Sequence, residues 1–578
     1  MDFNRKFSRR NLLKGAAAAG GSAVLLNKTG FAAVNDVGSG TGGRSYVLAS
    51  VPGVRIQPII TTGEAAANGY RMVGIPDGLG ALNHDDTFEV FMNHELTGGD
   101  SPGTSGPGIV RAHGSDGAFV SKWTIDALSL RVLKGEDLTG PGQVYLWNKS
   151  TSTYAPGTFQ WQRLCSADLP HQNALLYTEF GTSERLFLDG EEIAAVPTAS
   201  APNARFGSAW ARIVTGPHSG EAWELPRLGK MAFENVVACP HGKRKTIIAL
   251  LDDGSVDPAA APASNPSEVF IYIGTKESTG TEIEKAGLTN GKLYGIRVLL
   301  DGTVVNAESN DYGFGTASTG FVGSATFQLA ELGPSGDVSG WDGLQLEQDA
   351  TAKTVFRFLR PEDGAWDPRE SHPDTFYFVT TGAIASSPST AINVNSRLWR
   401  LKFYDIDNPL AGGKIEILLS GKELPAPGWR MFDNITIDRH GRLLLQEDTG
   451  NSPWVSKIWL YGIDSGTLTE IAHHDPALFD PNNLGPGMAS PDFITQDEES
   501  SGIIDVEHIL GRGWFLFDVQ NHFALKAQTP PIPDPFGLVE GGQLLAMYVD
   551  PRIGAPKVHP RGDHSGEQSA SRDQQNRH

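Results

Sequence analysis

The chain predicts an all-β fold, most simply a β-propeller with inserted loops and short extra elements. Three observations carry this: strand-like runs of β-branched and aromatic residues recur along the chain, long helical periodicity is nearly absent, and turn formers abound, with 68 Gly and 36 Pro in 578 residues. Many short strands need an arrangement without long open edges, and a closed or radially repeated one supplies it. A pair of sandwich domains is the alternative use of the same strands.

Residues 1–33 read as an export signal and are set apart from the fold. Ser8-Arg9-Arg10-Asn11-Leu12-Leu13-Lys14 is a twin-arginine pattern, followed by a soft apolar run from Gly15 to Leu26 and small residues near Ala32 and Ala33. The apolar run falls short of the roughly 20 residues a membrane span needs. Its removal takes away six basic side chains and one acidic one, so the formal charge goes from −20 to −25. Such a surface repels nucleic acid and anionic lipid, and suits calcium, whose ligands are carboxylates and carbonyls. Two cysteines, Cys165 and Cys239, cannot form a disulfide framework; buried, paired and metal-ligating roles are open, in that order.

Strand-like runs follow at residues 87–92, 245–251, 292–300 (turning at Asp301-Gly302), 397–403, 435–438 (turning at His440-Gly441 into 442–445), 457–461, 513–519 and 543–549. The segments 96–118, 252–267 and 303–341, rich in Gly, Ser, Pro or Ala, read as insertions. Residues 34–550 form the single domain, and the polar residues 551–578 a disordered tail.

One stretch draws the chemistry together. The strand Phe356-Arg357-Phe358 breaks at Arg360-Pro361-Glu362-Asp363-Gly364, and a second strand resumes at Thr375. Arg360 offers a planar, permanently charged fork for a phosphate or carboxylate, and Glu362 is a hard oxygen ligand two residues on. Acidic residues recur at strand ends in Asn93-His94-Glu95, Gly190-Glu191-Glu192, Phe233-Glu234-Asn235, Asp252-Asp253-Gly254, Phe432-Asp433-Asn434 and Gln446-Glu447-Asp448. Each alone reads as a turn or cap carboxylate. One end of every propeller blade faces the same funnel, so together they suit one polymetal site. His473-His474-Asp475 reads as solvated loop, Trp399, Trp459 and Trp514 as core, and no His-Glu-x-x-His or Gly-Lys-Ser loop is present.

The order of these clusters resembles the PhoX family of secreted, twin-arginine-exported alkaline phosphatases. The resemblance spans nearly the whole mature chain. It is carried by Asn93-His94-Glu95, Cys165 with Gly181-Thr182 and Glu191-Glu192 downstream, Gly229-Lys230 with Glu234, Asp252-Asp253-Gly254 running on to Phe270-Ile271-Tyr272, Arg360-Pro361-Glu362, Asp433-Asn434, and the closing residues 516–522. It implies a propeller of about six blades, calcium and iron in its funnel, and hydrolysis of phosphate monoesters by a monomer in the periplasm or outside the cell. In that picture Glu95, Glu191, Glu192, Glu234, Asp253, Glu362 and Asp433 hold or surround the metals, and Arg360 grips the substrate phosphate. There are departures. Gly190 stands where the family has the cysteine of Thr-Cys-Glu-Glu, which counts against iron. Phe233 replaces a His, and Ile273 a Lys, for which Lys276 is a substitute. A calcium-stabilised binding propeller, or a hydrolase of another ester, are the alternatives.

Overall fold

The computed structural model describes residues 43–98, 106, 108–197, 204–254, 266–309, 312–316, 318–382, 396–421, 431–452 and 454–556. The twin-arginine segment and residues 557–578 of the expected tail lie outside them.

Within them the chain is a propeller of six blades. Blade 1 is Pro76–His84, Thr87–His94, Phe119–Asp126 and Val132–Asp137. Blade 2 is Leu164–Asp168, Leu186–Glu191, Gly207–Ile213 and Ala222–Glu224, widened by the hairpin Val144–Asn148 and Thr153–Gly157. Blade 3 is Phe233–Ala238, Lys245–Asp252, Pro266–Thr275 and Lys292–Leu300; blade 4 is Pro361–Trp366, Thr375–Thr380, Arg397–Phe403 and Gly413–Ser420. Blade 5 is Phe432–Ile437, Arg442–Glu447, Lys457–Gly462 and Thr467–His474, and blade 6 is Glu498–Asp505, Trp514–Asn521 and Gly541–Val549. The first strand of each blade is innermost and touches its two neighbours around the axis. The circle closes by exchange of ends: Val54–Thr61 pairs with Gly541–Val549, and Val47–Ala49 adds to the edge of blade 5.

Each blade is buried on both faces, which explains why its second strands are apolar runs rather than alternating ones. In Lys245–Asp252, Ile248 and Leu250 pack toward blade 2, whereas Ile247, Ala249 and Leu251 pack toward blade 4. The other blade interfaces hold cores of their own, such as Phe91 against Phe187 between blades 1 and 2.

Three expectations need correction. Pro361–Trp366 is not a turn between strands but the inner strand of blade 4, and Arg357–Leu359 pairs with blade 3 instead. The segment 303–341 contains Ser324–Glu331, which bonds to Lys292–Leu300 on one side and Gly413–Ser420 on the other, so blades 3 and 4 form one continuous sheet. His474 is not solvated: it ends a strand and is fully buried, while His473 pairs with Glu470 and Asp475 with Arg44.

Candidate metal centre in the propeller funnel

The inner strands begin at the same end of the axis, and each brings one ligand-type side chain there at its second residue: Asp77, Cys165, Glu234, Glu362, Asp433 and Glu499. The residue just past the second strand of each blade adds another: Glu95, Glu192, Asp253, Thr381, Asp448 and His522. In blades 1 to 5 the pairing register slips within the first residues of the inner strand, which carries one extra residue there. Bulges of this kind re-aim a side chain out of the sheet plane. The residue before the inner strand is left-handed in four blades, Ile75 (φ 52°), Arg163 (φ 46°), Arg360 (φ 58°) and Met431 (φ 44°). Such conformations in non-glycine residues cost about 1–3 kcal/mol each and gather at functional sites.

The two sets form an arc of overlapping groups: Asp77, Glu95 and Cys165; Cys165, Glu192 and Glu234; Glu234, Glu362 and Asp433; then Asp433, Asp448 and Glu499. Within each group the candidate ligand atoms lie within 4.8 Å of one another. Ser166 Oγ donates to Glu234 Oε1 at 2.8 Å, Thr381 Oγ1 donates to Glu362, and Gln520 Nε2 donates to Glu95 Oε2 at 3.1 Å. Asp77 Oδ1 and both carboxylate oxygens of Asp518 are buried with no hydrogen-bond partner among the described residues.

Electrostatically the arc is overloaded with negative charge. Burial, then the charges of Glu192 and Glu362, push the Glu234 carboxyl well above the usual range; burial, then Glu362, Glu499 and Glu234, do the same to Asp433. Asp253 is pushed up to about 6 by burial, against the pull of Arg360. Burial and the charges of Glu192, Glu95 and Glu234 hold the Cys165 thiol high. Cations would relieve every one of these, so the donor set and the orphaned Asp77 Oδ1 fit a bound hard metal.

Two arginines interrupt the arc. Arg360 Nε lies 3.0 and 3.2 Å from the carboxylate oxygens of Asp253, and its Nη2 lies 2.7 Å from Asp253 and 3.1 Å from Glu362. Arg163 Nη2 lies 2.9 Å from Glu95 and pairs with Glu192.

Of the residues expected from sequence, the structure brings together Glu95, Glu192, Glu234, Asp253, Glu362, Asp433 and Arg360. Glu191 is turned away: it is fully buried in blade 2, paired with Arg205 Nη2 at 2.5 Å and accepting from Gln162 N at 2.9 Å. Gly190 lies beside Phe233, whose Cβ would stand 2.3 Å from a side chain there, so position 190 does not supply the funnel. A thiol does reach the funnel from Cys165, whose Sγ donates to Glu192 Oε2 at 2.9 Å. Cys239 is buried in the core between blades 3 and 4. Lys276 is fully buried and donates to the carbonyls of Lys243 and Lys245, so it points at the backbone rather than at a substrate. Sequence reasoning missed Asp77, Glu499, His522 and Arg163. The signal that finds them is positional: each repeats a place that Glu362, Asp253 or Arg360 holds in another blade.

Comparison with known proteins adds the fold. No protein-family model and no curated protein matches the chain. Solved structures do, among them Pseudomonas fluorescens PhoX in complex with vanadate, a transition state analogue, with a TM-score of 0.54 and 12% identity over 90% of this chain and 99% of that one. The likeness is one of fold. A GH43_1 enzyme from Xanthomonas citri (TM-score 0.31, 10% identity, 91% of this chain and 97% of that one) and an alpha-L-arabinanase from Penicillium chrysogenum (0.35, 8%, 82% and 97%) also match.

Proposed function

We propose that this protein is an exported, metal-dependent phosphatase that hydrolyses phosphate monoesters in the propeller funnel. One observation carries the reading: buried carboxylates and a thiol from around the ring converge on one end of the axis, with Arg360 set among them. The cluster order resembling the PhoX family and the fold likeness to a PhoX bound to vanadate, a transition state analogue, support it.

Asp77, Glu95, Glu192, Glu234, Glu362, Asp433, Asp448 and Glu499, with Asp253 beside Arg360, would be the oxygen donors for calcium, and Cys165 with Glu192 and Glu234 would be the set suited to iron. Bound metal would supply charge neutralisation for phosphoryl oxygens and a nucleophile usable at ordinary pH. The chain's own contribution is to orient the ester by the Arg360 fork and to hold that charge in place as negative charge builds on the phosphoryl group. Thr381 and Ser166 fix the carboxylates of Glu362 and Glu234. The twin-arginine signal places the enzyme in the periplasm or outside the cell, exported folded with its metals, and it acts as a monomer. Among the described residues no helix is long and apolar enough to cross a membrane.

The test is elemental analysis of the exported protein paired with a phosphomonoester assay before and after chelation. Calcium with chelator-sensitive turnover is expected. Calcium without turnover would make the protein a metal-stabilised binding propeller and overturn the reading.

A further inference from the structure

We propose that Arg163 is a second anion-gripping residue and that, together with Arg360, it makes the funnel select dianionic monoesters over monoanionic diesters. This rests on the phosphatase reading and adds to it the residue that enforces its choice of ester.

The two arginines occupy equivalent places. Each is the left-handed residue directly before an inner strand, in blades 2 and 4. Each reaches the carboxylate past the second strand of the preceding blade, Glu95 for Arg163 and Asp253 for Arg360. Each also takes a carboxylate of its own blade, Glu192 and Glu362. The left-handed place does not itself require arginine, because Ile75 and Met431 fill it in blades 1 and 5. The two forks are linked through one carboxylate: Glu192, paired with Arg163, and Glu362, paired with Arg360, each place an oxygen within 4.8 Å of one on Glu234.

Both forks keep donor capacity. Their hydrogen bonds to carboxylates run through Nε or Nη2, leaving Nη1 of each without one among the described residues. Arg163 is the more open, with 42% of its side chain exposed against 18% for Arg360. Two guanidinium groups beside one site match an oxyanion carrying two charges, whereas a diester carries one and offers fewer free oxygens to a planar fork. Discrimination of this kind is a difference between two affinities, so it is read as a ratio.

The experiment compares the metal-loaded parent, Arg163→Gln and Arg163→Lys by inhibition with orthophosphate, by kcat/KM on p-nitrophenyl phosphate and on bis-p-nitrophenyl phosphate, and by metal content. Arg163→Gln is expected to weaken orthophosphate inhibition and monoester kcat/KM by roughly ten- to a hundred-fold, the worth of a charge-assisted contact. Diester kcat/KM should fall far less and metal content should not change. Arg163→Lys, which keeps the charge, should retain most of the orthophosphate affinity; it decides the matter if the Gln variant does not fold. Equal losses on both esters, or unchanged orthophosphate inhibition, overturn the proposal. So does loss of metal, which would make Arg163 only a brace for Glu95 and Glu192. A parent that binds no orthophosphate overturns the phosphatase reading and takes this inference with it.

Discussion

Replacing Glu362 by Gln should change sign with the metal. Glu362 is 1% exposed, 3.1 Å from Arg360 Nη2, and its carboxylate lies within 4.8 Å of those of Glu234 and Asp433. With all three carboxyls ionised, at an effective dielectric constant of about 20, each such carboxylate contact repels by at least about 3.5 kcal/mol, while the pair with Arg360 attracts by about 5 kcal/mol. The sum is repulsive by about 2 kcal/mol before the cost of burying the charge is added. Without metal, then, a neutral amide at this place is tolerated or stabilises, and Arg360 keeps its fork on Asp253. With metal the account reverses, because an ion held at a hundred times its Kd adds about 2.7 kcal/mol to the folded state and a hundred-fold weaker site forfeits most of that. The assay is thermal melting of parent and variant in chelator and in millimolar calcium. Glu362→Gln is expected to melt at or above the parent in chelator and to gain much less from calcium. A variant that melts below the parent by the same margin in both conditions would show that Glu362 serves only as a partner for Arg360, and would refute the reasoning.

Arg360→Ala should raise the KM for a phosphomonoester by roughly ten-fold or more with metal content unchanged, and an unaltered KM would remove its assigned role. Cys165→Ser should lose any iron the parent holds while keeping calcium in elemental analysis, since a hydroxyl does not replace a soft thiolate; Gly190→Cys should restore none, and should cost about 1–3 kcal/mol in denaturant unfolding because its Cβ meets Phe233. Metal-free protein should melt higher at pH 5 than at pH 8. Burial raises Asp253 to about 6 and Asp168 and Asp363 to about 7, so the folded chain holds protons the unfolded one releases, and stability is present below pH 4 and lost as pH rises through 6 to 7. Calcium should flatten that slope, and a metal-free melting point that climbs with pH would contradict the assignment.

The fold was legible wherever the signal is periodicity and turn chemistry. Apolar runs such as residues 245–251 announce strands covered on both faces, and Glu95, Glu234, Glu362 and Asp433 stand out because each follows or opens such a run. The missed residues sit where local chemistry tells another story. Pro76-Asp77-Gly78 has the composition of a turn, and Glu498-Glu499 that of a solvated acidic pair, yet both open inner strands. Arg163 carries no mark at all, because its role depends on a left-handed backbone and on Glu95, 68 residues earlier in the sequence. Glu191 and Glu192 are adjacent and alike in sequence, and only the way Leu186–Glu191 pairs with the bulged strand Leu164–Asp168 decides which of them faces the funnel. The same blindness hid the joining of blades 3 and 4, since Ser324–Glu331 is flanked by Gly-rich sequence that reads as loop.

The exchange of ends between Val54–Thr61 and Gly541–Val549 has a bearing on synthesis. One of the earliest strands to leave the ribosome finds its partner only when one of the last has followed, and Asp77 meets its sixth-blade neighbours Glu499 and Asp518 only once blades 1 and 6 sit side by side. A chain cut short can assemble blades but cannot bring the two sides of the arc together.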